Sequence, residues 1–398
     1  MSEKFPAQET VKATDLTLRD GQQAAGFGMT SKEKIETAGN LHQLGVDGVE
    51  AGFPASSPED RKAVAQISQE FKETKFEITA LARAHTKDIE HAGEALKDAL
   101  AGRIAIVIPS SHIDLRLGMK IEQAEDHLYK CVQEARKYTK DVLVYLEDAP
   151  GAKESDLRRL SIAAVEAGIT TLSLPDTRGS ATPAEYEALF RMVRKAIVAE
   201  DVVLAAHTHN DIGLALANAL AAVEGGAREV HGTLGGIGER AGNASIEQLV
   251  MQSRVKDTGY TIGENIKPQL IGSTVRSFFE LLDIPLPPNL PYVGSNAFSH
   301  GAGIHSEAVA RKDPSIYEIV PPDQIGWEGE KYPLTVSVGR AALAKRVTRL
   351  GYDEKAVNDN LGEIYRTFIE LADQGEKRVY EDEDLQPILD RLGITPSS

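Results

Sequence analysis

Over about its first 250 residues the chain alternates short β-rich runs with longer stretches that carry apolar residues at three- and four-residue spacing, and the order does not break. The strand-like runs are Ala13–Arg19, Val49–Phe53, Glu77–Arg83, Arg103–Pro109, Val142–Glu147, Thr171–Pro175, Val202–His209 and Glu229–Leu234. Helical spacing fills the intervals, as in Lys32–Leu44, Glu122–Tyr138, Ala184–Val198 and Gly213–Glu224. Eight βα units in about 250 residues have the count and size of a (β/α)8 barrel, whereas a doubly wound open sheet usually has fewer. The rhythm stops near Thr258, and the Pro-rich run Pro285-Leu-Pro-Pro-Asn-Leu-Pro291 marks a change of regime. The expected class is therefore α/β, with a (β/α)8 TIM barrel over residues 1–258, a linker region over 259–292 and a smaller, mostly helical subdomain over 293–398. Within that subdomain, helices are expected around Arg340–Leu350 and Asp353–Ala372, and the acidic run Glu381-Asp-Glu-Asp384 reads as a solvated face.

Charge and composition narrow the partners. The 44 Lys and Arg against 60 Asp and Glu leave a formal charge of −16, which repels phosphate backbones and anionic bilayers. Neither nucleic acid nor membrane is an expected partner. Cys131 is the only cysteine, so the chain can form no intrachain disulfide and no cysteine-based zinc cluster, as in a reducing compartment. The segment Met1–Gln8 is polar, with no apolar signal region, and the expected location is cytoplasmic.

Parallel barrels build their sites at the carboxyl ends of the strands, so ligands and titratable groups at those ends carry the functional signal. The first run ends in Leu18-Arg19-Asp20-Gly21, the fifth in Glu147-Asp148 and the seventh in His207-Thr208-His209-Asn210-Asp211. After the eighth comes Gly235-Gly-Ile-Gly-Glu-Arg-Ala-Gly-Asn243. His207 and His209 are two apart on an extended strand, so both imidazoles leave the same face. Either histidine alone would read as an ordinary core or surface residue. Together, with Asp20 from the neighbouring strand and the side-chain carbonyl of Asn243, they make a mixed nitrogen and oxygen set suited to Mg²⁺, Mn²⁺ or Zn²⁺. The run Gly236-Ile-Gly238-Glu-Arg-Ala241 fits the dinucleotide pattern G-x-G-x-x-A but follows the last βα repeat, where glycines more often shape an active-site rim. Beyond the barrel, His300 and His305 stand in a Gly-rich segment. They are either structural or, if that segment covers a barrel mouth of the same or a neighbouring subunit, a source for the base the barrel lacks.

At this point the residues resemble a known family. Asp15-Leu-Thr-Leu-Arg-Asp-Gly21, Glu50-Ala-Gly-Phe-Pro54, Leu81-Ala-Arg-Ala84, Pro175-Asp-Thr177, His207-Thr-His-Asn-Asp-Ile-Gly213, Gly238-Glu-Arg-Ala-Gly-Asn-Ala244, Asn296-Ala-Phe-Ser-His300, Gly303-Ile-His305 and Tyr317-Glu-Ile319 look like the acetyl-CoA-dependent 2-isopropylmalate synthases. That family lies within a wider group of metal-dependent Claisen-type condensing enzymes, with homocitrate, citramalate and methylthioalkylmalate synthases. The resemblance implies an acyltransferase that condenses acetyl-CoA with a 2-oxo acid, 2-oxoisovalerate in the leucine-biosynthesis type, to give 2-isopropylmalate and CoA. It implies Asp20, His207, His209 and Asn243 as metal ligands. Arg19 is implied beside the metal, binding substrate and stabilising developing charge, and Thr177 holds the substrate carboxylate. His305, oriented by Glu147, would take the acetyl methyl proton with help from Tyr317, and the enzyme would work as a homodimer.

Departures from the family pattern are Gln22 for the usual Glu, Ser306-Glu307 for Gln-Asp, and Val336-Ser-Val-Gly-Arg340 for Gly-Lys-His-Ser-Gly-Arg. The run after Asp148, Ala-Pro-Gly-Ala-Lys153, lacks the Arg with which homocitrate synthases hold a second carboxylate, favouring an apolar or aromatic 2-oxo acid. The family's leucine-binding regulatory domain would begin near where this chain ends, so insensitivity to leucine is expected. Open alternatives are a chain-extending synthase of the homocitrate, citramalate, methylthioalkylmalate or benzylmalate type, and a related hydroxyacyl-CoA lyase.

Overall fold

A computed structural model describes residues 9–302, 305, 309 and 313–396. The chain divides into two units between Ile284 and Pro285. In the first, the strands are β1 (Glu9–Asp15), β2 (Gly48–Gly52), β3 (Glu77–Arg83), β4 (Gly102–Pro109), β5 (Asp141–Glu147), β6 (Thr171–Ser173), β7 (Val203–Ala206) and β8 (Glu229–Gly232). All neighbours are parallel, and β1 pairs with both β8 and β2, which closes the sheet into the expected eight-stranded barrel. The helices are α1 (Ser31–Leu44), α2 (Pro58–Glu70), α3 (Thr86–Ala95), α4 (Ile113–Leu117), α5 (Ile121–Ala135), α6 (Glu154–Glu166), α7 (Pro183–Ala196), α8 (Ala215–Glu224), α9 (Ile246–Val255) and α10 (Ile271–Leu281).

Local chemistry sets the helix ends. Thr30 and Glu33 form a capping box at the start of α1, and Thr182 and Glu185 repeat it at α7 with Pro183 in the first turn. α1 stops at Gly45, whose φ of 96° and approach to the Asn265 carbonyl leave no room for a Cβ. Lys34 of α1, fully buried, pairs with Asp60 of α2, and Asp60 also accepts the Phe53 amide, which pins the turn after β2.

Two features differ from the sequence expectation. Strand β1 begins and ends four residues early, because the amides of Arg19, Asp20 and Gly21 all turn back onto the Leu16 carbonyl. The stretch 259–292, expected as a linker, contains α10 and a further strand, β9 (Tyr260–Ile262), which pairs in parallel with Glu9–Val11 of β1. The polar start of β1 is thereby drawn into the sheet. The barrel interior is also charged low down: Arg103 Nη1 lies 2.9 Å from Glu229 Oε1 and from Glu77 Oε1, and Lys12 Nζ lies 2.8 Å from Glu77 Oε2.

The second unit carries α11 (Arg340–Arg349), α12 (Glu354–Asp373) and α13 (Asp382–Arg391), packed around Leu343, Val347, Ile364, Phe368, Leu385 and Leu389. The Pro-rich run is folded rather than extended: Leu290 donates to Pro287, and Asn296 to Pro288. The acidic run near Glu381 opens α13, where Asp384 caps the helix and pairs with Lys377, so negative charge faces a helix amino terminus. No described helix is long and apolar enough to cross a membrane. The Met1–Gln8 reading, Gly303, Ile304 and the Ser306-Glu307 departure lie outside the described residues.

Candidate functional site

The regular part of β7 ends at Ala206, but the chain stays extended, with bridges from Thr208 to Asp176 and from His209 to Asn243. Thr208 turns outward and donates to the Ala215 carbonyl, which leaves His207 and His209 on the inner face. Their Nε2 atoms stand 3.2 Å apart, and Asp20 Oδ2 lies 3.4 Å and 3.8 Å from them. Among the described residues, this is the one group of three His, Cys, Asp or Glu side chains whose ligand atoms all lie within 4.8 Å of one another.

Asn243 joins the group through the loop after β8. Its amide nitrogen donates to Asp20 Oδ1 and to the Ile237 carbonyl, each at 3.1 Å. The Glu239 backbone amide also donates to Asp20 Oδ1, and Arg240 anchors the loop through Asp211. The glycine run forms a loop, and α9 begins only at Ile246, so no helix amino terminus follows Gly238 directly. A Cβ on Gly238 would stand 2.0 Å from Asn243 Nδ2. Gly238→Ala should therefore push the Asn243 amide aside and weaken Mg²⁺ or Mn²⁺ binding by about tenfold to a hundredfold, as read by calorimetry. An unchanged affinity would remove Asn243 from the ligand set.

The residues present fit a divalent cation. Asn243 Oδ1 and His209 Nδ1 are buried with no hydrogen-bond partner among the described residues, and two ring nitrogens converge on one carboxylate oxygen. Burial pushes both imidazoles down, His209 to about 3 with His207 adding to the effect. Burial opposes the Asp20 charge, but Arg19 and the two histidines hold its carboxyl well below the usual range. Near neutral pH the set is thus two neutral imidazoles and a carboxylate, already in their metal-binding forms.

Arg19 is fixed by two carboxylates, donating from Nε to Glu50 Oε2 at 2.6 Å and from Nη1 to Asp20 Oδ2 at 2.9 Å. Thr177 lies in the loop after β6, where its hydroxyl oxygen accepts the Asp148 amide at 2.9 Å, leaving the hydroxyl hydrogen free to donate. Glu147, at the end of β5, pairs with Arg116 at 2.6 Å. In the second unit, His305 is exposed and its ring lies 4.3 Å from that of Tyr317. His300 is 3.8 Å from Glu318, which Lys331 also approaches.

Sequence reasoning missed three residues around the ligands. Glu50 is the fully buried partner of Arg19; a lone carboxylate within a five-residue apolar run was the available signal. Tyr145 of β5 packs its ring 5.9 Å from His207 and 5.6 Å from His231 of β8. Tyr145 also belongs to an apolar cluster with Leu81, Ala105 and Leu143, against which Phe53 and Val107 pack. Burial lowers the His231 pKa against the pull of Glu229, so this imidazole is neutral too.

Behind the ligand loops lie two more buried carboxyls. Asp15 accepts the Thr17 amide and Glu247 the Gly235 amide, while Asp15 Oδ2 and Glu247 Oε1 have no partner among the described residues. Burial pushes each up to about 7. A carboxyl raised in the fold contributes stability that is complete below its unfolded pKa and lost as pH rises through the folded one. Between pH 5 and pH 8 the wild type should therefore lose roughly 3 kcal/mol relative to Glu247→Gln, which keeps the acceptor for Gly235 without the charge. Paired melting curves across that range should diverge by several degrees, and parallel curves would contradict it.

Comparison with known proteins agrees with this geometry. Residues 10–275 match the HMGL-like family, and residues 292–376 match the homocitrate synthase post-HMGL domain-like family. Among solved structures, an HMG-CoA lyase from Bacillus subtilis is similar at a TM-score of 0.60 and 24% identity, over 71% of this chain and 97% of that one. The HMG-CoA lyase from Acinetobacter baumannii, in complex with coenzyme A and 3-methylmalate, gives a TM-score of 0.59 at 23% identity, over 71% and 95%. At these identities the likeness is one of fold. The curated relatives are nearer. The 2-isopropylmalate synthase of Methylococcus capsulatus is 40% identical over 382 residues, 95% of this chain and 73% of its own length. That of Carboxydothermus hydrogenoformans is 40% identical over 385 residues, 96% and 74%. With such identity running through both units, and with the ligand motifs inside the matched span, this chain belongs to the 2-isopropylmalate synthase family.

Proposed function

We propose that the protein condenses acetyl-CoA with 2-oxoisovalerate, releasing CoA and 2-isopropylmalate. The observation that carries the choice of substrate is an apolar cluster that reaches His207 through the Tyr145 ring, 5.9 Å away: Phe53, Leu81, Val107 and that ring are apolar, and Arg83, which lies over Phe53, pairs with Asp88. A branched aliphatic side chain suits such a wall better than a second carboxylate does.

Each group has work matched to its placement. A divalent metal held by Asp20, His207, His209 and the Asn243 carbonyl oxygen would supply Lewis-acid polarisation of the ketone. Arg19, its geometry fixed from both sides, presents positive charge where the ketone oxygen gains negative charge, and no reorganisation is needed as that charge develops. Thr177 donates its free hydroxyl hydrogen to the substrate carboxylate. His305 takes a proton from the acetyl methyl group, with Tyr317 assisting and Glu147 orienting. The carbanion carbon then bonds to the ketone carbon as the C=O π pair moves onto oxygen, which takes up the proton that His305 removed, and water adds to the thioester carbonyl and expels the CoA thiol, leaving a carboxylate. The assembly proposed is a homodimer, and the place of work the cytoplasm, in keeping with the single Cys131.

The test is thiol release from acetyl-CoA by purified protein against a panel of 2-oxo acids, with Mg²⁺ or Mn²⁺. Fastest release with 2-oxoisovalerate, abolished by chelation, is expected. Greater activity with 2-oxoglutarate or pyruvate would move the protein to a chain-extending relative.

A further inference from the structure

We propose that Arg240 is a positioning residue for the metal site, whose guanidinium locks the Asn243 loop onto the loops after β6 and β7. This rests on reading Asp20, His207, His209 and Asn243 as the ligands of a divalent cation. The loop after β8 brings two groups to that set. The Glu239 amide donates to Asp20 Oδ1 at 3.2 Å, and the Asn243 side-chain nitrogen donates to the same oxygen at 3.1 Å. Asn243 Nδ2 is thereby committed, while Asn243 Oδ1 is buried with no hydrogen-bond partner among the described residues. Between these two contacts stands the crest Glu239-Arg-Ala241, and all three residues are exposed, so burial does little to hold it.

Arg240 supplies that hold. Its Nε donates to Asp211 Oδ1 at 2.8 Å and its Nη2 to Asp211 Oδ2 at 3.0 Å, a two-point fork that fixes the plane of the guanidinium as well as its distance. The same Nη2 donates to the Thr177 carbonyl at 2.5 Å. Asp211 follows His209 by two residues, so the fork ties the Asn243 loop to the stretch that carries both histidines. Asp211 is itself closely held, since a Cβ on Gly179 would stand 2.5 Å from its Oδ2. The backbone carries the same constraint. Arg240 has a φ of 57°, in the left-handed region that a residue with a Cβ enters at a cost, and such a conformation persists where surrounding contacts over-determine it. Glycine would hold that backbone more readily, so what arginine adds at this position is the fork.

The test is Mn²⁺ titration of the full chain by calorimetry, without substrate, beside thermal melting of the metal-free protein. Arg240→Ala should bind Mn²⁺ about tenfold more weakly than the wild type, within the range for residues that support a ligand. Its metal-free melting temperature should stay within a few degrees of the wild type, because an ion pair this exposed adds little to stability. Arg240→Gly relieves the left-handed backbone and should be equally weak, which separates the guanidinium from the strain. Guanidinium ion added to either variant should restore most of the lost affinity, and methylammonium at the same concentration, a charge without a fork, should not. The inference is overturned if both variants bind Mn²⁺ within about twofold of the wild type, if Arg240→Gly alone recovers wild-type affinity, or if methylammonium restores as much as guanidinium does. A wild type that binds no Mn²⁺ would overturn the ligand reading and this inference with it, a result distinct from a wild type and variants that bind alike.

Discussion

His207→Ala or His209→Ala should lower the affinity for Mg²⁺ or Mn²⁺ by at least about a hundredfold, more than the tenfold to hundredfold typical of residues that only support a ligand. Each change removes one of two neutral ring nitrogens that stand 3.2 Å apart over a single carboxylate oxygen. Asp20 cannot compensate, because Arg19 already donates to the same Oδ2 and Asn243 to the other oxygen. CoA release should fall with metal occupancy and recover only in part at high metal concentration. Metal titration by calorimetry checks this, and unchanged affinity in both variants would show that the pair is not a ligand pair.

The second large effect is expected at His305. A proton must leave the acetyl methyl group only on the way to the transition state, so His305→Ala should bind metal and 2-oxo acid as the wild type does. Its turnover should be slower by about 10² to 10⁴, the range for loss of a positioned base. The ring contact with Tyr317 at 4.3 Å makes Tyr317→Phe a milder companion, since the stacking survives and only the hydroxyl is lost. Glu147→Gln should also be mild, because Arg116 remains to hold the side chain. Steady-state kinetics separate the outcomes. Lost 2-oxo acid binding with an unchanged rate at saturation would make His305 a binding group and end its reading as the base.

What the sequence made legible follows from physical distance. Parallel barrel strands are buried on both faces and helices cap themselves with local residues, so β3 to β5 and α1, α5 and α7 could be read within a residue or two of their bounds, except at the carboxyl end of α5. The residues proposed as ligands stand close in sequence for the same reason: His207 and His209 lie on one short stretch, and Asn243 sits in a Gly-rich loop. Contacts across the barrel were not legible. No local pattern marks Lys12, Glu77, Arg103 and Glu229 as partners, and only closure of the sheet brings them together inside it. Glu50, Tyr145 and His231 were missed alike, because a role for each depends on which side chains of distant strands share a layer. Strand β9 is three residues long and gains its order from pairing with β1, which no local pattern announces.

The central claim is that a carbon–carbon bond forms between the acetyl methyl carbon and the ketone carbon of a branched 2-oxo acid. The direct measurement uses acetyl-CoA labelled with ¹³C at the methyl carbon, incubated with 2-oxoisovalerate, Mn²⁺-loaded protein and a thiol reagent, then resolved by NMR after the metal is removed. The account predicts that the label appears in a methylene carbon of 2-isopropylmalate, one equivalent for each CoA thiol released. Label recovered as acetate, or CoA released without 2-oxo acid, would show thioester hydrolysis alone and contradict it.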